Sequence, residues 1–414
     1  MNFSDFNFHQ KITDGVTAAG FTQPTPIQEQ AIPKIMQHRD VMGLAQTGTG
    51  KTAAFGLPIL QQLMKGPRGC VRALVIAPTR ELAEQIHASI TLLGQKTGLR
   101  SVTVYGGVGI HPQISKLKGG AEIVVACPGR LLDHIKQSTI DLRQLDLLVL
   151  DEADRMFDMG FLPDIRRIVK CLPANRQTLL FSATMPKEIR HLAGELLTNP
   201  ETVQIDTVAP AVTVSHALYP VSQHLKTDLL LKILGQTETE SVLVFTRTKH
   251  RAKRLGEKLE KSGYRAASLQ GNLSQSRRQA ALDGFRDGRF QILVATDIAA
   301  RGIDVSLVSH VINFDMPDTT DAYIHRIGRT GRAARKGKAF TMVCTDDKLM
   351  VRAIERALGA QIDRHMLDKF DYAVPAPKRA AQAVRRRVQP VSRTKSQNNR
   401  VNASAVRKKV AASR

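Results

Sequence analysis

One eight-residue stretch, A-Q-T-G-T-G-K-T from Ala45 to Thr52, constrains this chain more than any other. D-V-M-G-L, Asp40 to Leu44, reads as a short buried strand before it, and the apolar run after it suits a helix. A strand, a glycine loop and a helix in that order form a phosphate cradle. Gly48 and Gly50 let the backbone N–H groups of Gln46 to Thr49 approach phosphate oxygens, Lys51 neutralises charge on the outer phosphates, and the Thr52 hydroxyl is placed for Mg²⁺. The helix N-terminus adds partial positive charge. Ala45 stands where the commonest form of the motif has its first glycine, so the match is to the looser version.

The rest of the body alternates strand-like and helix-like runs twice over. In the first half A-L-V-I-A-P (73–78), S-V-T-V-Y (101–105), E-I-V-V-A (122–126), L-L-V-L (147–150) and T-L-L-F (178–181) suit buried parallel strands. Between them Leu82, Ile86, Ile90 and Leu93 line one face of a helix over 80–93. The second half repeats the scheme with S-V-L-V-F (241–245), F-Q-I-L-V-A (290–295), H-V-I-N-F (310–314) and A-F-T-M-V (339–343). The expected fold class is α/β, with two tandem open parallel sheets over 1–205 and 216–372, a short extended linker over 206–215, and a basic tail over 373–414.

At 414 residues the chain exceeds the size at which one core stops growing, which fits two domains. Its four cysteines form no C-x-x-C pair, and neither a secretion signal nor an apolar run of bilayer length is present, so the expected compartment is the cytoplasm, with no membrane partner. The formal charge is +23, and twelve Lys or Arg with no Asp or Glu lie in 373–414. That tail has no helical or strand period, which predicts disorder and a polyanionic partner.

Ligands of open α/β sheets collect at the carboxyl ends of the strands. After L-L-V-L comes D-E-A-D: Asp151 is placed to hold Mg²⁺ and Glu152 to orient, or take a proton from, an attacking water. S-A-T closes the T-L-L-F strand and puts the Ser182 and Thr184 hydroxyls where they can bond Asp154. The second half has no phosphate loop but contains H-R-I-G-R-T-G-R, in which Arg326, Arg329 and Arg332 recur every three residues. This spacing suits arginines offered to a nucleotide held by the first half.

Together these residues resemble the DEAD-box ATP-dependent RNA helicases of superfamily 2, most closely the bacterial RhlE type, over about Phe3 to Val343. The resemblance implies two RecA-like domains and the cofactors ATP and Mg²⁺. G-F-T-Q-P-T-P-I-Q, Gly20 to Gln28, is similar to the family's adenine-reading segment, with Gln28 for the base edge and Phe21 and the isolated Phe3 beside it. P-T-R-E-L-A (78–83), Gly106 with Gly107, and C-P-G-R (127–130) resemble the RNA-backbone segments of the first domain, which implies RNA contacts by Pro78, Arg80, Gly107, Gly129 and Arg130. In the second domain V-F-T-R-T, the group Gln270, Gly271, Gln275 and Arg278, and A-T-D-I-A-A-R-G-I-D imply RNA contacts by Arg247, Gln270, Gly271 and Thr296 and a ribose contact by Asp304. The resemblance further implies that Asp154 and His325 couple the domains and that Arg329 and Arg332 act as arginine fingers. Cys127 stands where the family usually has Thr, and a thiol is the weaker donor; Gln270 stands where His is frequent. The implied activity is RNA-dependent ATP hydrolysis that opens short duplexes or remodels RNA–protein complexes, in ribosomal or RNA-decay assemblies. An ATP-gated RNA clamp or annealing chaperone and a DNA-directed helicase are the alternative readings.

Overall fold

In the computed structural model the described residues are 1–46, 48–205, 214–237, 240–300, 308–331 and 337–376. The strands are β1 (Val41–Leu44), β2 (Ala73–Ile76), β3 (Ser101–Val104), β4 (Ile123–Ala126), β5 (Leu147–Leu150), β6 (Gln177–Ser182), β7 (Glu201–Gln204), β8 (Val214–Pro220), β9 (Val242–Phe245), β10 (Ala266–Leu269), β11 (Ile292–Ala295), β12 (His310–Asn313), β13 (Gly337–Val343) and β14 (Asp363–Arg364). The helices are α1 (Gln10–Ala18), α2 (Pro26–Met36), α3 (Lys51–Leu63), α4 (Arg80–Leu93), α5 (Ile110–Lys118), α6 (Pro128–Lys136), α7 (Ala153–Asp158), α8 (Leu162–Val169), α9 (Lys187–Leu196), α10 (Lys226–Gln236), α11 (Lys249–Lys261), α12 (Gln275–Arg286), α13 (Asp297–Ala300), α14 (Thr320–Ile327) and α15 (Lys348–Leu358).

Two seven-stranded sheets result, in the orders β3-β4-β2-β5-β6-β1-β7 and β10-β11-β9-β12-β13-β8-β14. Every pairing is parallel. Adding seven to each strand number of the first order gives the second, so the two halves share one topology. Successive strand residues point to opposite faces, and both faces are covered: Ala73, Val75, Leu147 and Val149 pack on one side of the first sheet, Leu74, Ile76, Leu148 and Leu150 on the other. That is why these strands read as continuous apolar runs and not as alternating ones.

Two expectations need correction. Val214 and Ser215, assigned to the linker, begin β8 and pair with Gly337 and Lys338; residues 206–213 lie outside the described residues. Arg326, counted with the presented arginines, is buried within the second half. It bonds both carboxylate oxygens of Asp297 at 2.6 Å, donates to Asn313 Oδ1 and the Asp315 carbonyl, and lies 5.0 Å from the Phe245 ring centre. Among the described residues no helix is long and apolar enough to cross a membrane.

Candidate active site

Apart from Phe3, Phe21 and Gln28, which precede β1, the expected site residues that are described end or follow strands at their carboxyl ends, and strand order sorts them. Pro78 and Arg80, Gly107, and Gly129 with Arg130 follow β2, β3 and β4, which are neighbours at one side of the first sheet. Arg247, Gln270 with Gly271, and Thr296 follow β9, β10 and β11, the equivalent three strands of the second. The phosphate loop, the D-E-A-D acids and Ser182 come from β1, β5 and β6 on the other side, and His325 and Arg329 from the segment after β12. One topology used twice therefore separates two functional strips on a shared rim. Thr47, Asp304 and Arg332 lie outside the described residues.

On the nucleotide strip, Gly48 and Gly50 have φ of +84° and +93°, a backbone that glycine adopts without strain. Gly50 caps α3, and a Cβ there would stand 2.4 Å from Gln28 Nε2. Gln28 is buried at the start of α2; its amide oxygen accepts from Thr25 N at 3.0 Å and its nitrogen donates to Gly50 O at 3.1 Å. One donor and one acceptor are so used to hold the loop, and by valence one of each is left. Thr49 Oγ1 donates to Gln46 O, and the buried Lys51 Nζ donates to Ala45 O at 2.9 Å. Phe3 and Phe21 stack with ring centres 6.0 Å apart, Phe3 buried and Phe21 at the surface. Thr52 is the second residue of α3.

Asp151 is 2 % exposed, and burial pushes its carboxyl up to about 6 against the pull of Lys51, with Glu152 adding to the rise. A carboxylate held so far from water favours an incoming cation. Among the described residues no group of three His, Cys, Asp or Glu could hold a metal alone, so a cation beside Thr52 and Asp151 would take its other ligands from water or a bound nucleotide. Glu152 has the left-handed backbone φ 56°, ψ 53°, rare for a residue with a side chain, and its Oε2 pairs with Arg155 Nη1 at 2.7 Å; both side chains are buried. Asp154 Oδ2 accepts from Thr184 N (2.9 Å) and Thr184 Oγ1 (3.0 Å), while Ser182 Oγ accepts from Asp154 N and donates to Thr184 O. The two hydroxyls do meet Asp154, one at its carboxylate and one at its backbone.

The halves touch on both strips. Arg155 lines one small cavity with His325, Arg326 and Arg329. Burial lowers the pKa of His325, with Arg155 acting the same way and Asp154 opposing. The imidazole is therefore neutral at neutral pH. On the other strip Glu81 at the start of α4 pairs with Arg278 of α12 at 2.8 Å, and Arg80 Nη1 donates to Gln275 Oε1 at 3.5 Å. Gly107 has φ +77°, and a Cβ there would overlap the Arg80 guanidinium. Gly129 and Gly271 have open space where a side chain would lie. Arg130 donates to Val108 O, Arg247 to Met316 O; Gln270 and Thr296 are buried, and Gln270 Oε1 accepts from Asn272 N. The Cys127 thiol is pushed up to about 12 by burial, then by Glu81, so it stays protonated.

Sequence reasoning missed Arg155 and the Glu81–Arg278 pair. The available signal for Arg155 was its position three residues after Glu152, a helical ion-pair spacing. Nothing local announces Glu81, whose partner lies 197 residues away.

Residues 25–192 match the DEAD/DEAH box helicase family and residues 225–334 the helicase conserved C-terminal domain. The chain is 44% identical over 376 residues to the DEAD-box ATP-dependent RNA helicase CshA of Bacillus licheniformis, an alignment covering 90% of this chain and 77% of that one. It is 42% identical over 380 residues to the ATP-dependent RNA helicase CshA of Listeria monocytogenes, covering 92% and 73%. Among solved structures, S. cerevisiae Dbp5 bound to RNA and ADP BeF3 superposes with a TM-score of 0.78 at 31% identity, covering 88% of this chain and 95% of that one. The two sheets thus match a tandem RecA-like pair.

Proposed function

The chain belongs to the DEAD-box ATP-dependent RNA helicases, and from that premise we propose how its own residues hydrolyse ATP and open short RNA duplexes or remodel RNA–protein complexes. The observation that carries the proposal is Arg155, ion-paired to Glu152 of the first half and facing one cavity with His325 and Arg329 of the second. A site split in this way is complete only when the halves are closed.

We assign 1–205 to the ATP-binding domain, 206–213 to the linker, 216–372 with the preceding start of β8 to the C-terminal domain, and 373–414 to a tail that adds sequence-independent RNA affinity. Adenine lies against Phe3, Phe21 and the remaining hydrogen-bonding capacity of Gln28; the ribose meets Asp304. The phosphates lie on Gln46 to Gly50, with Lys51 turning from Ala45 O to the outer phosphate oxygens. Thr52 and Asp151 would hold Mg²⁺, which when bound would neutralise phosphate charge. Glu152 orients the attacking water and takes its proton, while Arg329 and Arg332 stabilise the charge that develops on the transferred group. His325, Asp154, Ser182 and Thr184 tie that step to domain closure.

Pro78, Arg80, Gly107, Gly129 and Arg130 grip one RNA strand from the first domain, and Arg247, Gln270, Gly271 and Thr296 from the second, through the backbone and so without regard to sequence. A strand bent to follow both rims cannot stay paired, and release of phosphate reopens the halves. The compartment is the cytoplasm and the partners are ribosomal or RNA-decay complexes. Glu152→Gln tests the scheme: it removes the proton acceptor but leaves the Arg155 contact, so ATP is bound and the RNA complex stays closed. RNA release from that variant as fast as from the wild type in ATP would contradict the proposal.

A further inference from the structure

A cavity of about 560 Å³ lies at the opposite, amino end of the first sheet and plays no part in the scheme above. Its size is that of a small-ligand site. Arg72, Asp146 and Arg176 immediately precede β2, β5 and β6, and Lys65 and His38 follow the ends of α3 and α2. Three fixed cations line it against one carboxylate. That carboxylate, Asp146, is taken by Arg72 Nε at 2.7 Å. Among the described residues Lys65 and Arg176 form no ion pair.

Arg176 spends one nitrogen on Pro173 O, and its Nε is buried with no hydrogen-bond partner. A buried guanidinium N–H left unpaired is a penalty the fold carries at this residue, and the rest of the Arg176 charge has no carboxylate paired with it among the described residues. Amide groups of Gln61 and Asn175 add donors to the wall, and Met36 is its one apolar side chain. Such a lining suits a compact polyanion. RNA is disfavoured, because the expected RNA residues all stand at the far rim of the sheet.

We propose that this cavity is a second anion site, which takes a small ligand carrying phosphate groups. Four of the five elements that line it reach the nucleotide strip at their other end: α2 begins near Gln28, α3 begins with Lys51, β5 leads to Asp151 and β6 ends in Ser182, whereas β2 leads to Pro78 and Arg80.

The test is isothermal titration of the full chain with sodium pyrophosphate after the nucleotide site has been filled with ADP. Saturable binding should remain, weaken at least fivefold in Arg176→Gln and in Lys65→Gln, and be unchanged by saturating single-stranded RNA. Absence of saturable binding, its loss on filling with ADP, its displacement by RNA, or wild-type affinity in both variants would overturn the proposal. Lys65 is exposed, so its variant carries the test if Arg176→Gln folds poorly. Retention of RNA-stimulated ATP hydrolysis in either variant keeps this outcome separate from that of the helicase scheme.

Discussion

Replacing Asp151 by Asn should make the unliganded protein more stable while abolishing its activity. The carboxyl is pushed from 3.8 to about 6 by burial, so between those values the folded state binds a proton that the unfolded state has released. Above pH 6 the folded protein therefore carries a carboxylate that it disfavours relative to the unfolded chain, and stability falls as pH rises through that window. A shift of about two units at ~1.36 kcal/mol each gives roughly 3 kcal/mol of destabilisation near pH 8, falling to about half of that near pH 5. Asn is the neutral isostere and its oxygen can still accept the N–H of Glu152, which the native Oδ1 receives at 3.0 Å. At roughly 2–4 °C per kcal/mol, the melting midpoint of the first half should rise by about 6–12 °C near pH 8. Thermal unfolding of the nucleotide-free variant and wild type at both pH values measures this. A midpoint no higher than the wild type near pH 8, or a gain that does not shrink toward pH 5, refutes the reasoning.

Two further changes probe other parts of the site. Arg155→Ala leaves Glu152 buried without its cation; it should cost roughly 3–5 kcal/mol of stability and lower kcat far more than it changes the KM for ATP, with Arg155→Lys recovering part of both in steady-state assays and urea titration. Gly107→Ala forces a side chain into the Arg80 guanidinium at a φ of +77°, and should cost about 1–2 kcal/mol and raise the RNA concentration for half-maximal ATPase severalfold, while nucleotide affinity measured by titration calorimetry stays put.

Much of the fold is legible in the sequence because its strands are buried on both faces. L-L-V-L and V-L-V-F have no polar alternative to offer, and the helix over 80–93 is found with the bounds its periodicity gives. Four strands escape notice, β7, β8, β10 and β14, and three of them have weak apolar character: β7 has two exposed side chains of four, β10, A-A-S-L, has little β-branched content, and β14 is two exposed charged residues. β8 is hidden for another reason. V-S-H-A follows a proline-containing stretch, and its place in the sheet is fixed by pairing with Gly337 and its neighbours, more than a hundred residues away. At the site, residues tied to a local motif were visible, whereas those defined by what they meet across the fold were not. Arg326 shows the converse error: its spacing suits presentation at a surface, and only the carboxylate of Asp297 beneath it explains its burial.

The central claim is that the catalytic site is shared by two halves, and RNA-stimulated ATP turnover in Arg329→Ala tests it most directly. Arg329 is buried and lines the cavity that Arg155 enters from the first half, while the phosphate loop lies wholly in that first half. The account predicts a fall in kcat of about 10³-fold or more, the scale of a lost arginine finger, with ADP affinity unchanged. Turnover equal to the wild type at saturating RNA and ATP would contradict it.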